Sequence, residues 1–251
     1  MQDRRYILSG AGSGIGRAIA IKLAGEGAGI ILAGRNEQKL NETMSLLPKG
    51  NHLVVATDIR QKENCMQVSS ILSGMHIDGI IANAGIGGEN HYGENDRWDE
   101  IIDTNLSGTY WFVNAFLPQL RESKSKQKHI LLTSSVLARL GVKNYTAYCA
   151  SKAGLLGLMR SWAMELAQDS ILVNAISPGW VNTTMAREGM EGIAKGLGIA
   201  SDEFHKIAMQ SVPLGRMAEP EEIADLVHYL LKQSAITGQV VDINCGSVMS
   251  S

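Results

Sequence analysis

The sequence predicts an α/β fold: one doubly wound domain, residues 1–251, with a mostly parallel sheet of seven strands and helices on both faces. Three observations predict it. Short apolar runs alternate with longer amphipathic stretches along the chain, and that alternation builds a parallel sheet covered on both sides by right-handed crossovers. The first strand runs straight into a glycine-rich turn, Gly10 to Gly16, and then a helix. No internal repeat and no linker rich in Pro, Gly or Ser interrupts the 251 residues, a length that suits one large α/β domain or two small ones.

The elements follow in order. Apolar, β-branched runs predict strands at Tyr6–Leu8, Gly29–Ala33, His52–Ala56, Gly79–Ala82, His129–Thr133, Leu172–Ile176 and Val240–Ile243. Helical periodicity predicts helices at Arg17–Glu26, Glu37–Leu47, Lys62–Leu72, Trp98–Leu120, Ala147–Ala167 and Pro220–Leu231. The basic stretch Arg121–Lys128 reads as a solvated loop. Thr184–Val212, rich in Met, Ala and Gly, reads either as a mobile lid over an apolar substrate or as two short helices packed on the domain.

Composition narrows the function. Lys plus Arg is 23 and Asp plus Glu is 25, so no charge excess argues for nucleic acid. Three scattered cysteines, Cys65, Cys149 and Cys245, form neither a disulfide framework nor a metal site, and no His/Cys/Asp cluster has ligand spacing. With no leader pattern at the start and no 18-residue apolar run, the expectation is a cytoplasmic protein without a membrane span.

Two constellations carry chemistry. Tyr148 and Lys152 are one helical turn apart and share a helix face. An ammonium about 4 Å from a phenol favours phenolate by roughly 4 kcal/mol at an effective dielectric near 20. That predicts a tyrosine pKa lowered by close to three units, at about 1.4 kcal/mol each. Ser135, at the end of a predicted strand, offers a hydroxyl to hold the oxygen that Tyr148 protonates. The second constellation is the turn Gly10, Ser13, Gly14, Ile15, Gly16, where glycines admit a pyrophosphate and the helix N-terminus supplies N–H groups. In such folds an acidic residue about 20 positions on binds the ribose of NAD. Here that position is Gly34, followed by Arg35, and a guanidinium suits the extra phosphate of NADP. NADP(H) is therefore expected over NAD(H).

The chain resembles the short-chain dehydrogenases/reductases over essentially its whole length. The resemblance rests on the glycine turn and on Ser135, Tyr148 and Lys152. It also rests on Asn83-Ala84-Gly85, Asn105 in DTNLSG, Pro178-Gly179 with Thr183, and the closing stretches VPLGRMAEPEEIA and ITGQ. Ser9 stands where Thr is usual, and Ala82 where a second Asn is frequent. The resemblance implies a single Rossmann-like domain that interconverts a ketone and a secondary alcohol. Tyr148 is then the general acid/base, Lys152 holds the nicotinamide ribose, Ser135 positions the substrate oxygen, and Asn105 holds a water. Asp58 and Ile59 flank the adenine, and Pro178, Gly179, Val181 and Thr183 border the nicotinamide. His91, Tyr92, Arg139, Asn144, Tyr145 and Trp180 are candidate pocket residues by their positions beside these motifs. The ending is similar to that of 3-oxoacyl-carrier-protein reductases, and also to relatives acting on sugars and secondary alcohols. A non-catalytic cofactor-binding sensor or scaffold is the alternative from another class.

Apolar residues run more than halfway round the predicted helices Trp98–Leu120 and Ala147–Ala167. A second apolar face on each implies pairing across two-fold axes, and hence a homotetramer or homodimer.

Overall fold

The computed structural model describes residues 1–249. Its strands are β1 (Arg5–Ser9), β2 (Gly29–Gly34), β3 (Leu53–Ala56), β4 (Gly79–Ala82), β5 (Lys128–Thr133), β6 (Ile171–Pro178) and β7 (Val240–Ile243). They form one sheet in the order β3-β2-β1-β4-β5-β6-β7, with every pairing parallel. The order reverses between β1 and β4, and that switch opens a crevice at the carboxyl ends of the strands.

Helices α1 (Gly14–Gly25), α2 (Glu37–Ser45), α3 (Lys62–Ile71), α4 (Trp98–Ile102), α5 (Gly108–Glu122), α6 (Thr146–Glu165), α7 (Thr184–Leu197), α8 (Ser201–Gln210) and α9 (Pro220–Leu230) complete the chain. On one face, Ile7, Ile80, Ile130 and Val173 pack against Phe112, Phe116, Leu156 and Met159 from α5 and α6. On the other, Leu8, Leu32, Ile81 and Leu131 pack against Ile19 and Leu23 of α1 and Ile223 and Val227 of α9. Each such side chain contributes about 1.5–3 kcal/mol relative to leaving it in water.

The strands follow the sequence prediction closely, because a parallel strand is apolar on both faces. The predicted helix Trp98–Leu120 is instead interrupted by a π-turn at Asp103–Ser107 between α4 and α5. Hydroxyls serve carbonyls at the irregularity: Thr104 Oγ1 donates to Glu100 O at 2.8 Å and Thr109 Oγ1 to Asn105 O at 2.9 Å. The apolar pattern continues across the turn, so periodicity does not register it.

The stretch Thr184–Val212 forms two helices, α7 and α8, rather than an open loop. Met190, Ala208, Met209 and Val212 bury against one another and against Met217, which anchors the pair on the body of the protein. The mostly basic loop before β5 ends one residue earlier than expected, since Lys128 is a buried strand residue. Among the described residues, no helix is long and apolar enough to cross a membrane.

Candidate active site

A cavity of about 680 Å³ fills the crevice at the switch point. Gly10, Ser13, Gly14 and Ile15 line its floor. Arg35, Asp58 and Ile59 line one end, Asn83, Ala84 and Gly85 the middle, and Ser135, Tyr148, Lys152, Pro178, Gly179, Val181 and Thr183 the other end.

The floor needs its glycines. Gly10 has φ +70, and a Cβ there would stand 2.8 Å from Ala84 Cα. Gly16 lies outside the cavity lining, and its reason is packing. A Cβ on it would meet the Gly10 carbonyl oxygen at 2.1 Å, so the glycine lets α1 start hard against the turn. Ser13 precedes α1 without a side-chain cap, and the first turn holds no acidic residue, which leaves the helix N–H groups open toward the cavity. These features fit a dinucleotide phosphate.

Behind the middle of the cavity, Ser9 Oγ accepts from the backbone N–H groups of Asn83 (3.1 Å) and Ala84 (3.0 Å). The serine standing where threonine is usual thus ties β1 to the loop after β4. Asn105, fully buried, grips the same loop. Its Oδ1 accepts from Ile86 N at 2.8 Å, and its Nδ2 donates to Ile86 O at 3.0 Å and to Ser151 Oγ at 3.1 Å. The side chain therefore faces inward, not out to solvent, and holds protein groups. It does not line the cavity.

Tyr148 and Lys152 are carried by α6, Ser135 by the turn after β5. Lys152 Nζ donates to Thr133 O at 2.9 Å and stands 5.6 Å from the Tyr148 ring centroid. Burial pushes the Tyr148 phenol above its ordinary value, and interaction with Ser135 offsets part of that rise. Burial also pulls the Lys152 ammonium down to about 8. The expectation that Lys152 lowers the phenol by about three units is thus corrected. The ammonium lies over the ring face and bonds a carbonyl, while desolvation acts on both groups.

At the other end, Arg35 is exposed, faces the cavity and makes no side-chain hydrogen bond or ion pair with any described residue. Asp58 is not free: Arg60 grips it, with Arg60 Nη2 at 2.7 Å from Oδ2 and Nε at 3.1 Å from both carboxylate oxygens. That bond above all holds the Asp58 carboxyl below its usual range. Thr183 Oγ1 accepts from Ala186 N at 3.3 Å and so caps α7, and a Cβ on Gly14 would meet its methyl at 3.1 Å. The start of α7 therefore closes directly over the glycine turn.

Of the further pocket candidates, Tyr145 and Trp180 line the cavity, whereas His91, Tyr92, Arg139 and Asn144 do not. Tyr92 is 90% exposed, His91 pairs with Glu89, and Arg139 is drawn away to Asp242 and Ser177. Asn144, at φ +63, turns the chain ahead of α6. Sequence reasoning missed Asn90. Its buried Oδ1 accepts from Thr146 Oγ1 (3.1 Å) and Ala147 N (2.9 Å), fixing the start of α6 to the loop after β4. A contact spanning 57 residues leaves no local signal.

A doubly wound parallel sheet with this cavity at its switch point fits a nucleotide-cofactor-binding protein, and comparison with known proteins gives its family. Residues 10–247 match the family described as Enoyl-(Acyl carrier protein) reductase. The chain is 31% identical over 261 residues to human (3R)-3-hydroxyacyl-CoA dehydrogenase, covering 97% of this chain and 95% of that protein. It is likewise 31% identical over 258 residues to the 3-oxoacyl-(acyl-carrier-protein) reductase FabG of Thermotoga maritima, covering 99% of each. Among solved structures, an actinorhodin polyketide ketoreductase variant with NADPH superposes with TM-score 0.91 at 28% identity, over 98% of this chain and 99% of that one. Levodione reductase superposes with TM-score 0.89 at 29% identity, over 98% of each. The chain belongs to the short-chain dehydrogenase/reductase family and is an NAD(P)-dependent oxidoreductase.

Proposed function

We propose that this protein is an NADP(H)-dependent reductase of small-molecule ketones, with Tyr148 as the general acid/base. The observation that carries the reading is one cavity with an unpaired Arg35 at one end and Ser135, Tyr148 and Lys152 at the other. Gly10, Ser13, Gly14, Ile15 and Asn83–Gly85 would hold the pyrophosphate and ribose side of the cofactor, and Arg35 the 2′-phosphate. Lys152, Pro178, Gly179, Val181 and Thr183 would hold its nicotinamide half. The nicotinamide supplies the hydride when bound.

The chain's own residues supply the rest. Ser135 orients the substrate carbonyl oxygen toward Tyr148. A phenol raised by burial is protonated at neutral pH, the state a proton donor needs for carbonyl reduction. As the oxygen gains negative charge, the Tyr148 hydroxyl gives it a proton, and the nearby Lys152 ammonium stabilises the phenolate left behind. Asn105 and Thr133 position Lys152 and the loop beneath it. Gly16 serves packing rather than contact, and Asp58, held by Arg60, would flank the adenine together with Ile59. The whole chain forms one dinucleotide-binding domain, with residues 184–212 as the cover of the substrate end.

The test is incubation with NADPH and a panel of ketones, following cofactor absorbance. Consumption of NADPH that depends on ketone supports the reading. Tight NADPH binding without turnover of any carbonyl compound would favour the sensor alternative.

A further inference from the structure

Arg35 follows β2 and Asp58 follows β3, and these neighbouring strands end side by side. Gly34 is in register with Ala56, and Thr57 N donates to Gly34 O at 2.8 Å. Both side chains line the same end of the cavity, where they are the only charged ones among the described residues. A guanidinium and a carboxylate brought together in this way ordinarily pair. Here they do not, since Arg35 bonds to no described residue.

The cause is Arg60, two positions past Asp58. Asp58 Oδ1 accepts from the Arg60 backbone N–H and from Arg60 Nε, both at 3.1 Å. Its Oδ2 accepts from Nε at 3.1 Å and from Nη2 at 2.7 Å. An ionised carboxylate offers about four acceptor sites, so one residue saturates it. The turn that holds Asp58 is itself fixed: Asp58 N donates to Asn64 Oδ1 at 2.8 Å, and Gln61 N to Asp58 O at 3.1 Å. Arg60 does not line the cavity, and its side chain is 36% exposed. An ion pair this exposed adds little to stability. The Arg35 charge also reaches Asp58 and helps Arg60 to lower its carboxyl, so the two lining groups stand within each other's field.

Without Arg60, two changes would follow. The freed carboxylate would draw Arg35 toward itself, and its negative charge would stand beside any phosphate placed there. Both act against a 2′-phosphate and neither against a 2′-hydroxyl. Resting on the NADP(H) reading, we infer that Arg60 is a positioning residue for cofactor choice: by saturating Asp58 it keeps Arg35 free for the 2′-phosphate and cancels the carboxylate's charge. With Arg60 in place, that end of the cavity carries one net positive charge.

The experiment measures Kd for NADPH and for NADH by calorimetric titration, beside the melting temperature of each chain. In Arg60→Ala the ratio of NADPH to NADH affinity should fall by about tenfold, the scale of one charge interaction near a protein surface. The melting temperature should hardly move. Adding Asp58→Asn to that chain removes the freed charge, so the ratio should return to within about threefold of its original value, even where both affinities drop together through the adenine. Arg60→Lys keeps the charge without the two-sided fork and should fall between. An unchanged ratio in Arg60→Ala, equal losses for both cofactors, or a ratio that Asp58→Asn leaves low would overturn the inference while the NADP(H) reading stands. If the unaltered protein binds NADPH no tighter than NADH, the NADP(H) reading falls and the inference with it.

Discussion

At Tyr148 and Lys152 the same force acts in opposite directions: burial raises the phenol and lowers the ammonium, so each favours its neutral form. A donor kept protonated suits reduction. Tyr148→Phe should cut turnover by about 10²–10⁴-fold while NADPH affinity stays nearly unchanged, measured by steady-state kinetics beside a binding titration. In the cofactor-free protein, the difference spectrum between the unaltered chain and this variant should show no tyrosinate at pH 7. Tyrosinate at that pH would mean that Lys152 outweighs burial after all. Arg35 makes a separable claim. Arg35→Ala should weaken NADPH binding by about tenfold or more and leave NADH binding nearly untouched, since only NADPH places a phosphate beside that guanidinium. Equal losses for both cofactors would remove Arg35 from the 2′-phosphate site.

Among the elements, α6 matters most, because it carries Tyr145, Tyr148 and Lys152 at once, with Tyr145 at its N-cap. Asn90 fixes its first turn from across the crevice. Asn90→Ala leaves the buried Ala147 N–H without an acceptor, a loss of about 1–3 kcal/mol. Thermal unfolding should fall by about 2–4 °C per kcal/mol for a chain of this size. Turnover should fall with it, and Asn90→Asp, which keeps the acceptor, should recover much of both. A variant with unchanged melting temperature and rate would show that α6 is placed by its apolar face alone. This division also explains what the sequence disclosed. Strand–turn–helix at Gly10–Gly16, the Tyr148/Lys152 spacing and the seven apolar runs are local patterns, and periodicity exposes them. The Asn90 tie and the inward Asn105 depend on partners far along the chain, and the π-turn at Asp103–Ser107 lies inside an unbroken apolar pattern, so no local pattern records them. Spacing gives the separation of Tyr148 and Lys152 along the helix and says nothing of desolvation, which raises the phenol. Thr184–Val212 reads as lid or helices from sequence because Met serves either, and the structure shows the helices α7 and α8 with Met190, Met209 and Val212 packed together.

At the scale of the molecule, a buried histidine ties stability to pH. His129 lies in the middle of the sheet, 3% exposed, with Nε2 unpartnered among the described residues. Desolvation, aided by Arg4, lowers its pKa from 6.5 to about 4. The unfolded chain binds the proton more readily, so stability is full above pH 6.5 and is lost as pH falls toward 4. The loss amounts to about 3 kcal/mol, at 1.36 kcal/mol per unit. Denaturant unfolding between pH 7 and pH 4 should show that slope, and His129→Leu should flatten it. A slope that persists in the variant would place the titration elsewhere.

Assembly is the remaining whole-molecule question, and the helix faces bear on it. Much of the apolar surface counted on α5 turns inward: Phe112, Val113 and Phe116 are fully buried, and Tyr110 stacks on Trp162 with ring centroids 6.0 Å apart. What stays outside is narrower. Trp98 is 42% exposed, Tyr110 is 38% exposed and Met164 is 82% exposed, with small residues Ala150 and Ala153 also exposed on α6. Small side chains let a second helix approach closely, and the three large ones give a two-fold contact apolar area to bury. We therefore expect the pairing to be through α4, α5 and α6 and the complete assembly to be a homotetramer. Light scattering at micromolar concentration should report about four times the 27.1 kDa chain mass. Met164→Glu, a change at an exposed position, should lower that mass without lowering the melting temperature of the separated chains. A mass of 27.1 kDa for the unaltered protein would show that this face is complete on its own. An unchanged mass in the variant would move the contact away from α6.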